Sequence, residues 1–571
     1  MAIHEIRALL LSSLDRVFPE VEPEGGDVSE LSCLKNEPLS FQVAYKLNSN
    51  QVFTVGVNLR IESDLPISLY SVGYLPVLQT RDTYHVDSYR AGLFGDMLLP
   101  KKTNPRVEEI KYPWESIYLE DDKTRLVART DSWQSVWLTV NEDGKRLTAG
   151  SYPVKLTFLS MKDNAPLAEC QLTIEIVDAL LPKQSLLYTN WFHCDCLADM
   201  YGIEPFSERF WHVFADYVEK ASRNGMNLLL TPCFTPPLDT PIGKERPTVQ
   251  LVGVTVKGGE YSFDFSLLER YIDVAMANGI THFEHTHLFT QWGAKHAVKV
   301  MATVDGNYKR LFGWDTVAWG KKYQTFLRAY LTALVAFLKE KGVDRRFLYH
   351  VSDEPSTNVK ENYRRAKRPL DEILSDYTVC DALSNYEFYA DGTVKTPIVC
   401  TNHAEDFCGR VKDLWVYYTG GQATGGLANR KLNTTGERNR MLGVQLYMND
   451  IKGFLHWGYN YWYGPLSQGI ADPRTEPANF SGGSPGSAFI VYPATDGTCL
   501  QSIRQKIFYE AVNDMRALKR LETLFGKRNT HRLVEDYFGK VTFNTHLGDA
   551  EHLLAFRALV NEKIAELSAK K

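Results

Sequence analysis

The sequence lacks the features that mark membrane-spanning and secreted chains. No apolar run reaches the roughly 18 residues that a membrane helix needs. The first twenty residues contain Glu5 and have neither a basic start nor a small-residue cleavage site, so we expect no signal peptide. The nine cysteines are scattered and odd in number, which does not suit a disulfide framework. We therefore expect a cytoplasmic protein.

A strong excess of either charge is also absent. The chain has 64 Lys and Arg against 69 Asp and Glu, a formal net charge of -5, so nothing favours nucleic acid or an anionic membrane as a partner. What is present is a globular composition, 44% hydrophobic and 12% aromatic, over 571 residues. This length is too great for one ordinary domain and predicts at least two.

The first 180 or so residues show the two-residue alternation of half-buried β-strands. Residues 39–47 show it most clearly, and similar runs cover residues 133–140, 152–159 and 170–177. Turn-forming stretches separate these runs. Several short strands at this spacing predict an N-terminal β-sandwich.

After Pro182 the pattern changes to short apolar runs that alternate with long amphipathic stretches, as in repeated βα units. Helices are predicted at residues 208–224, 267–278 and 314–341, and each is followed by a glycine that favours a helix C-terminus. The eight candidate strands begin near Leu186, Asn227, Ile280, Phe347, Tyr377, Pro397, Leu414 and Gly453. This order of units predicts a (β/α)8 barrel of the TIM type.

The chain is therefore expected to have three parts. These are a β-sandwich domain at residues 1–182, a (β/α)8 barrel catalytic domain at residues 183–525 and a mixed or helical extension at residues 526–571. A barrel of this type carries its reacting groups at the C-terminal ends of its strands. The residues that end each predicted strand are thus the candidates for a functional site.

Two adjacent acids, Asp353 and Glu354, follow the fourth predicted barrel strand. Pro355 cannot donate to a strand ladder and favours an extended conformation at Glu354, so we expect the strand to end at about Asp353. Both carboxylates can then lean over the barrel mouth. Acids this close do not both ionise freely, so the pKa of one should rise. A protonated carboxyl beside an ionised carboxylate is the working pair of a glycosidase.

Adjacent acids are too close in sequence for a nucleophile and an acid, which generally come from different strands about 5 Å apart. A 2-acetamido sugar removes this difficulty, because its own amide oxygen can attack C1. The protein then needs one carboxylate to hold the amide N–H and one acid to protonate the leaving oxygen. The pair therefore favours a glycosidase that uses its substrate as nucleophile; the alternative is a capped loop after a strand.

Aromatic side chains and histidines gather near the ends of the predicted strands, most densely in residues 454–464. Sugar rings stack their apolar C–H faces on aromatic rings, and Tyr, Trp and His also offer polar atoms to hydroxyl groups. An aromatic-walled sugar pocket is therefore expected. The residues predicted to bind substrate are His193, His287, Trp292, His350, Tyr418, Trp457, Tyr459 and Trp462.

Two alternatives remain open. His285 and His287 are two residues apart on a predicted strand, which would place both rings on one face as a metal site requires. A metal-dependent barrel hydrolase would lose its activity with a chelator. A glycan-binding protein without catalysis would bind the sugar and not release it. Our prediction includes neither a cofactor nor a catalytic metal.

Four motifs carry a resemblance to a known family, and they span most of the chain. They are Gly92–Pro100, SDEP at residues 352–355, the aromatic run at residues 453–462 and the Ser-Ile-Arg sequence at residues 502–504. On these motifs the chain resembles glycoside hydrolase family 123. The adjacent Asp and Glu after the fourth strand are the most specific of them.

The resemblance implies a retaining, exo-acting N-acetyl-β-galactosaminidase that works through an oxazolinium intermediate. It implies that Asp353 orients and stabilises the acetamido group, and that Glu354 is the general acid and then the base. The implied partner is a glycan with a terminal β-linked N-acetylgalactosamine, of the glycosphingolipid type. Neither nucleic acid binding nor membrane insertion is expected.

Overall fold

The computed structural model describes residues 5–48, 54–77, 91–100, 102–103, 117–120, 123–291, 293–480 and 484–570. Its N-terminal part is rich in β-strands. Strands β1 to β12 are Glu5–Ser12, Glu30–Leu34, Leu39–Asn48, Thr54–Glu62, Ile67–Val77, Gly92–Pro100, Lys102–Thr103, Ile117–Glu120, Lys123–Arg129, Gln134–Val140, Gly150–Ser160 and Pro166–Val177.

The remainder of the chain alternates strands and helices. Strands β13 to β26 are Leu187–Asn190, Leu228–Thr231, Gly253–Lys257, Glu260–Asp264, His282–His285, Val300–Val304, Asn307–Phe312, Phe347–His350, Thr378–Leu383, Thr396–Cys400, Trp415–Tyr417, Gly453–His456, Tyr492–Pro493 and Cys499–Ser502. Helices α1 to α11 are Cys194–Tyr201, Glu208–Arg223, Ser266–Ala277, Lys321–Glu340, Lys360–Ile373, Glu387–Ala390, Gly436–Arg440, Leu442–Met448, Ile503–Phe525, Lys527–Phe538 and Ala550–Ser568.

Two seven-stranded sheets make up the N-terminal region, in the orders β1-β3-β10-β5-β6-β26-β25 and β2-β12-β11-β4-β9-β8-β7. Phe41 and Leu138 of the first sheet share one hydrophobic cluster with Phe158 of the second. The other face of β3 is buried as well. Its Gln42 is buried, and Gln42 Nε2 donates to the backbone oxygens of Ser12 (3.2 Å) and Asp15 (2.9 Å). The predicted strands are thus present, whereas a sandwich domain that ends at residue 182 stays a prediction.

The first sheet also contains β25 and β26, two strands that follow the last barrel strand in the sequence and that the sequence pattern did not reveal. β26 pairs antiparallel with β6, with Ser502 opposite Met97. Just after β26, Arg504 donates to the buried carboxylate of Asp96 through its backbone N–H (3.1 Å) and its Nε (2.8 Å). Two of the four motifs, in β6 and at residues 502–504, are therefore in contact. They attach the segment that leads into α9 to the first sheet.

Eight parallel strands form a nearly closed barrel in the order β13-β24-β23-β22-β21-β20-β17-β14. Asn227 bridges the gap between β13 and β14, because its N–H donates to Tyr188 O (3.1 Å) and its side-chain oxygen accepts from Tyr188 N (2.8 Å). Each strand begins within two residues of its predicted position. The prediction of eight barrel strands is therefore confirmed.

The helices that pack on the barrel follow the predicted stop signals. α2 and α3 are followed by Gly225 and Gly279, whose φ angles of 84° and 95° lie in the left-handed region that glycine adopts without strain. Ser207 caps α2 by accepting a bond from the N–H of Phe210 (3.3 Å). α4 begins at Lys321 rather than near residue 314, because the segment before it bonds back to the loop at residues 295–297.

A small four-stranded sheet, β16-β15-β18-β19, was not predicted. It is built from the connections that follow β14 and β17, and Tyr261 and Phe263 of β16 pack against Phe326 of α4 with ring centroids 5.3 and 5.9 Å apart. The β14–β15 connection runs over the C-terminal ends of the barrel strands and contributes to the site described below.

The C-terminal extension, which the sequence left without a role, ties the barrel to the N-terminal sheets. Arg557 of α11 bonds Glu37 (2.6 Å) and Asp514 of α9 (2.7 Å), and Asn561 donates to the backbone oxygen of Ser32 (3.1 Å). Within the described ranges, no helix combines the length and apolar character needed to cross a membrane.

Candidate active site

A cleft of about 620 Å³ opens at the C-terminal ends of the barrel strands. Loops after β13, β14, β20, β23 and β24 contribute to its walls. The described side chains that line it include Trp191, His193, Leu238, Asp239, Arg246, Gln291, Asp353, Glu354, Tyr417, Leu455, Trp457, Tyr461, Tyr463 and Asn479. The cleft thus combines three carboxyl groups with five aromatic rings among the residues that the structure describes.

The turn that carries Asp353 and Glu354 begins earlier than predicted, because β20 already ends at His350. Glu354 has a φ of 44°, in the left-handed region, rather than the extended conformation that we expected before proline. The Glu354 N–H donates to Ala382 O at the end of β21 (3.0 Å), which holds the turn against the neighbouring strand. A left-handed glutamate is strained, and such strain collects at functional sites.

The two carboxyl groups lie in different surroundings. Asp353 is half-buried and Glu354 is exposed. Burial raises the pKa of Asp353 to about 8; the Glu354 carboxylate adds to this rise, and the charge of His350 opposes it. The hydroxyl group of Tyr417 donates to Glu354 Oε1. In the unliganded protein at neutral pH, Asp353 therefore keeps its proton.

His193 and Arg246 form a second polar group in the cleft. Arg246 Nη2 lies 3.0 Å from His193 Nδ1, and the same guanidinium group makes buried bonds of 2.6 and 2.7 Å to Asp195. Burial and the charge of Arg246 lower the pKa of His193 to about 3. The ring is therefore neutral, accepts at Nδ1 and donates from Nε2 to Trp457 O (2.9 Å).

A third carboxyl group, that of Asp239, lies in the cleft after β14. Its Oδ2 accepts a bond from the hydroxyl group of Tyr461, and its backbone oxygen accepts one from Ser467 Oγ (2.7 Å). These bonds join the β14–β15 connection to the loop after β24. The arrangement offers hydrogen-bonding groups for sugar hydroxyls opposite the aromatic rings.

The histidines predicted to bind substrate lie at two depths in the barrel, one in the cleft wall and two buried beneath it. His193 lines the cleft, as does the half-buried Trp457. His287 and His350 lie fully buried below it, with ring centroids 4.1 Å apart, and neither is among the described residues that line the cleft. Trp292 lies outside the described residues.

Three aromatic residues predicted to bind substrate belong to the core instead. Tyr418, Tyr459 and Trp462 are fully buried, and none is among the described residues of the cleft wall. Successive side chains on a strand point to opposite faces, so Tyr417 of β23 faces the cleft while Tyr418 faces the surrounding helices. Tyr459 donates its hydroxyl group to a backbone oxygen in α2 (3.0 Å).

Several residues of the cleft were not predicted. The two-residue period of β23 could have selected Tyr417, because it shares a face with Trp415. Asp239 and Arg246 lie in a long connection with no strand or helix period, so no pattern in the sequence places them at the barrel mouth.

The pairing of His285 with His287 that the alternative metal site requires does not form. His285 Nε2 bonds the hydroxyl group of Tyr330 on α4 (2.7 Å), outside the barrel. His287 packs against Trp191, with ring centroids 4.8 Å apart, on the inside. The two rings face different sides because β17 ends at His285, so the strand geometry that would align them is lost. Among the described residues, no three His, Cys, Asp or Glu side chains converge as a metal site would need.

One solved structure is similar in fold over nearly the full length of the chain. A family 123 glycoside hydrolase from Clostridium perfringens is similar with a TM-score of 0.70 at 13% identity, over 98% of this chain and 97% of that one. A β-glucuronidase from Bacteroides uniformis gives 0.29 at 10% identity, over 82% and 48%. An inactive variant of a family 20 exo-β-N-acetylglucosaminidase from Vibrio harveyi gives 0.27 at 9% identity, over 90% and 97%. The last two scores are too low to support a comparison.

The family model of the glycoside hydrolase 123 catalytic domain matches residues 191–521, which contain most of the barrel and the Asp353–Glu354 turn. A search of curated proteins gives no match. Glycosidases use paired carboxyl groups, and barrel enzymes place such groups in a cleft at the C-terminal ends of the strands. The chain belongs to glycoside hydrolase family 123, which confirms the family that the sequence resembles.

Proposed function

We propose that this glycoside hydrolase is a retaining, exo-acting N-acetyl-β-galactosaminidase that releases terminal β-linked N-acetylgalactosamine from glycolipid glycans. The observation that carries the proposal is the Asp353–Glu354 pair, two neighbouring carboxyl groups in one cleft with different surroundings. The similar family 123 enzyme from Clostridium perfringens is described as hydrolysing glycolipid glycans. That description supports the substrate class proposed here.

The substrate's acetamido group supplies the nucleophile in this proposal. Its amide oxygen attacks C1 as the bond from C1 to the leaving oxygen breaks, and Glu354 gives its proton to that oxygen. The product is a bicyclic oxazolinium cation with its positive charge at the ring nitrogen. An ionised Asp353 beside the nitrogen stabilises this charge in a cleft with little water. Glu354 then takes a proton from the water that attacks C1, and two inversions give net retention.

The different exposure of the two acids supports this division of roles. The exposed Glu354 can reach the aglycone side of the cleft, where its proton is needed, and Tyr417 holds it by a hydrogen bond. The half-buried Asp353 suits contact with the sugar itself. Positive charge that develops at the acetamido nitrogen favours ionised Asp353, so the proton of the pair passes from Asp353 to Glu354, which donates it to the leaving oxygen.

The pair needs one proton to work, which sets the expected pH dependence. The pKa of Asp353 is raised to about 8, so the pair keeps its single proton at neutral pH and loses it as the pH rises through about 8. Activity toward unactivated glycosides should therefore fall on the alkaline side of that value. The raised pKa belongs to the unliganded protein, so kcat/KM is the quantity that reports it.

Hydrolysis of paired nitrophenyl glycosides tests the proposed substrate. p-Nitrophenyl N-acetyl-β-galactosaminide and its gluco epimer have the same leaving group and differ only in the orientation of the 4-hydroxyl group. We expect kcat/KM to favour the galacto substrate by about tenfold or more, since a site built to bond one hydroxyl rejects its misplaced isomer. A preference for the gluco epimer, or release of neither sugar, would count against the proposal.

A further inference from the structure

A buried chain of three ionisable side chains runs below the cleft. Glu284 of β17, His350 of β20 and Asp381 of β21 are each at most 1% exposed. His350 Nδ1 lies 2.8 Å from Glu284 Oε1, and His350 Nε2 lies 3.3 Å from Asp381 Oδ1. Burial alone would lower the pKa of His350, but Cys380 and the two carboxylates hold that pKa well above its usual value. These surroundings favour a positively charged ring.

Both ends of this chain bond to residues at or next to the cleft. Glu284 accepts two bonds from Trp191 Nε1, at 3.0 and 3.1 Å, and Trp191 lines the cleft. Asp381 Oδ2 accepts a bond from the backbone N–H of Ser352 (3.1 Å), the residue just before Asp353. His350 thus links an aromatic wall of the cleft to the turn that carries both acids.

The neighbouring His287 does not carry the positive charge of this buried group. Its ring lies against that of His350, and neither of its nitrogens has a hydrogen-bond partner among the residues that the structure describes. Burial, together with the neighbouring His350 and His285, lowers the pKa of His287 well below its usual value. A neutral His287 leaves the positive charge of this layer on His350.

We propose that His350 is a positioning residue whose buried positive charge directs the proton shared by Asp353 and Glu354 toward Glu354. The proposal rests on the function proposed above. Asp353 is faced by the carboxylates of Glu354 and Asp381, which favour its protonated form, and by His350, which favours its ionised form. Tyr417 also faces it, from β23. Without His350, the two neighbouring carboxylates would act on Asp353 unopposed.

His350→Gln tests this role, since glutamine keeps polar atoms near both carboxylates and removes the charge. Asp353 should then hold its proton more tightly, so the alkaline limb of kcat/KM should move to higher pH by about one unit. We also expect kcat to fall about tenfold or more, because less of the pair carries its proton on Glu354. The substrate must be an unactivated β-N-acetylgalactosaminyl oligosaccharide, since a nitrophenol leaves with little protonation.

His285→Gln is the matched control, because His285 is an equally buried histidine whose ring bonds Tyr330 on α4 instead. It should leave the alkaline limb in place, even if the variant is less stable. Thermal unfolding of both variants shows whether each is folded. Should His350→Gln fail to fold, Glu284→Gln replaces it. The limb should then move to lower pH, because the positive charge of His350 acts on Asp353 with one carboxylate fewer to offset it.

Nitrogen-15 NMR of the wild-type protein decides the charge without any use of activity. We expect the His350 ring to show two protonated nitrogens at neutral pH. A neutral ring, with Nε2 accepting the Ala382 N–H that lies 3.3 Å away, would overturn the proposal. So would an alkaline limb that stays in place in a folded His350→Gln variant. A wild-type protein that releases no N-acetylgalactosamine would overturn the proposed function, while NMR would still report the charge.

Discussion

Glu354→Gln is expected to lose most of its activity toward natural glycans while it keeps much of its activity toward aryl glycosides with an acidic phenol. A sugar hydroxyl leaves only when it is protonated, whereas an acidic phenol leaves with little help. General acid catalysis contributes about 10² to 10⁴ in rate, so the loss on the oligosaccharide should fall in that range. The measurement is kcat/KM for an oligosaccharide and for p-nitrophenyl N-acetyl-β-galactosaminide with both proteins.

Asp239→Asn is the matched control for this experiment. Asp239 is a carboxylate of the same cleft whose Oδ2 accepts a bond from Tyr461. It has no role in protonating the leaving group, so whatever its substitution costs should be similar for the two substrates. Equal losses on both substrates for Glu354→Gln would show that Glu354 is not the general acid.

Asp353→Asn is expected to abolish or severely weaken both catalysis and the binding of a thiazoline analogue of N-acetylgalactosamine. The thiazoline copies the bicyclic shape of the oxazolinium cation, so a site complementary to that cation binds it more tightly than substrate. An ionised Asp353 stabilises the positive nitrogen, and asparagine has the size without the charge. Removing such a group costs about 3 kcal/mol or more, a factor of about 10² to 10³ in kcat and in the inhibition constant.

The outcome that would contradict this role is equally specific. Proton NMR should detect the β-anomer as the first product of the wild-type enzyme. The α-anomer would mean that water attacks directly. Trapping of an enzyme carboxylate by a 2-fluoro sugar would mean that a protein group is the nucleophile, and Asp239 would be the described cleft carboxylate to examine first.

The sequence predicted the barrel strands well because each is a short apolar run bounded by local signals. The glycines after α2 and α3 end those helices by their own conformational freedom, so neighbouring residues suffice to place the ends. The pairing of β26 with β6 could not be predicted in this way. It joins residues some 400 positions apart, and a pattern of local periods contains no information about such contacts.

The candidate site was predicted only in part, for physical reasons that differ from residue to residue. Asp353 and Glu354 stand out by their adjacency at a strand end. The conformation of Glu354 depends on its bond to Ala382 of the next strand, which overrides the preference set by proline. Aromatic composition alone does not distinguish Tyr418 from Tyr417, whereas strand alternation does, because only one of the two neighbours can face the cleft.

The relative rates of N-acetyl and N-trifluoroacetyl substrates test the central claim most directly. Fluorine withdraws electrons from the amide oxygen and leaves the bond to the aglycone unchanged, so only a reaction in which that oxygen attacks C1 should respond strongly. With p-nitrophenyl β-galactosaminides that differ in this group alone, we expect kcat/KM to fall on the order of 100-fold or more, which corresponds to a barrier raised by about 3 kcal/mol. Equal rates for the two substrates would contradict the account, because they would show that the acetamido group takes no part in breaking the bond.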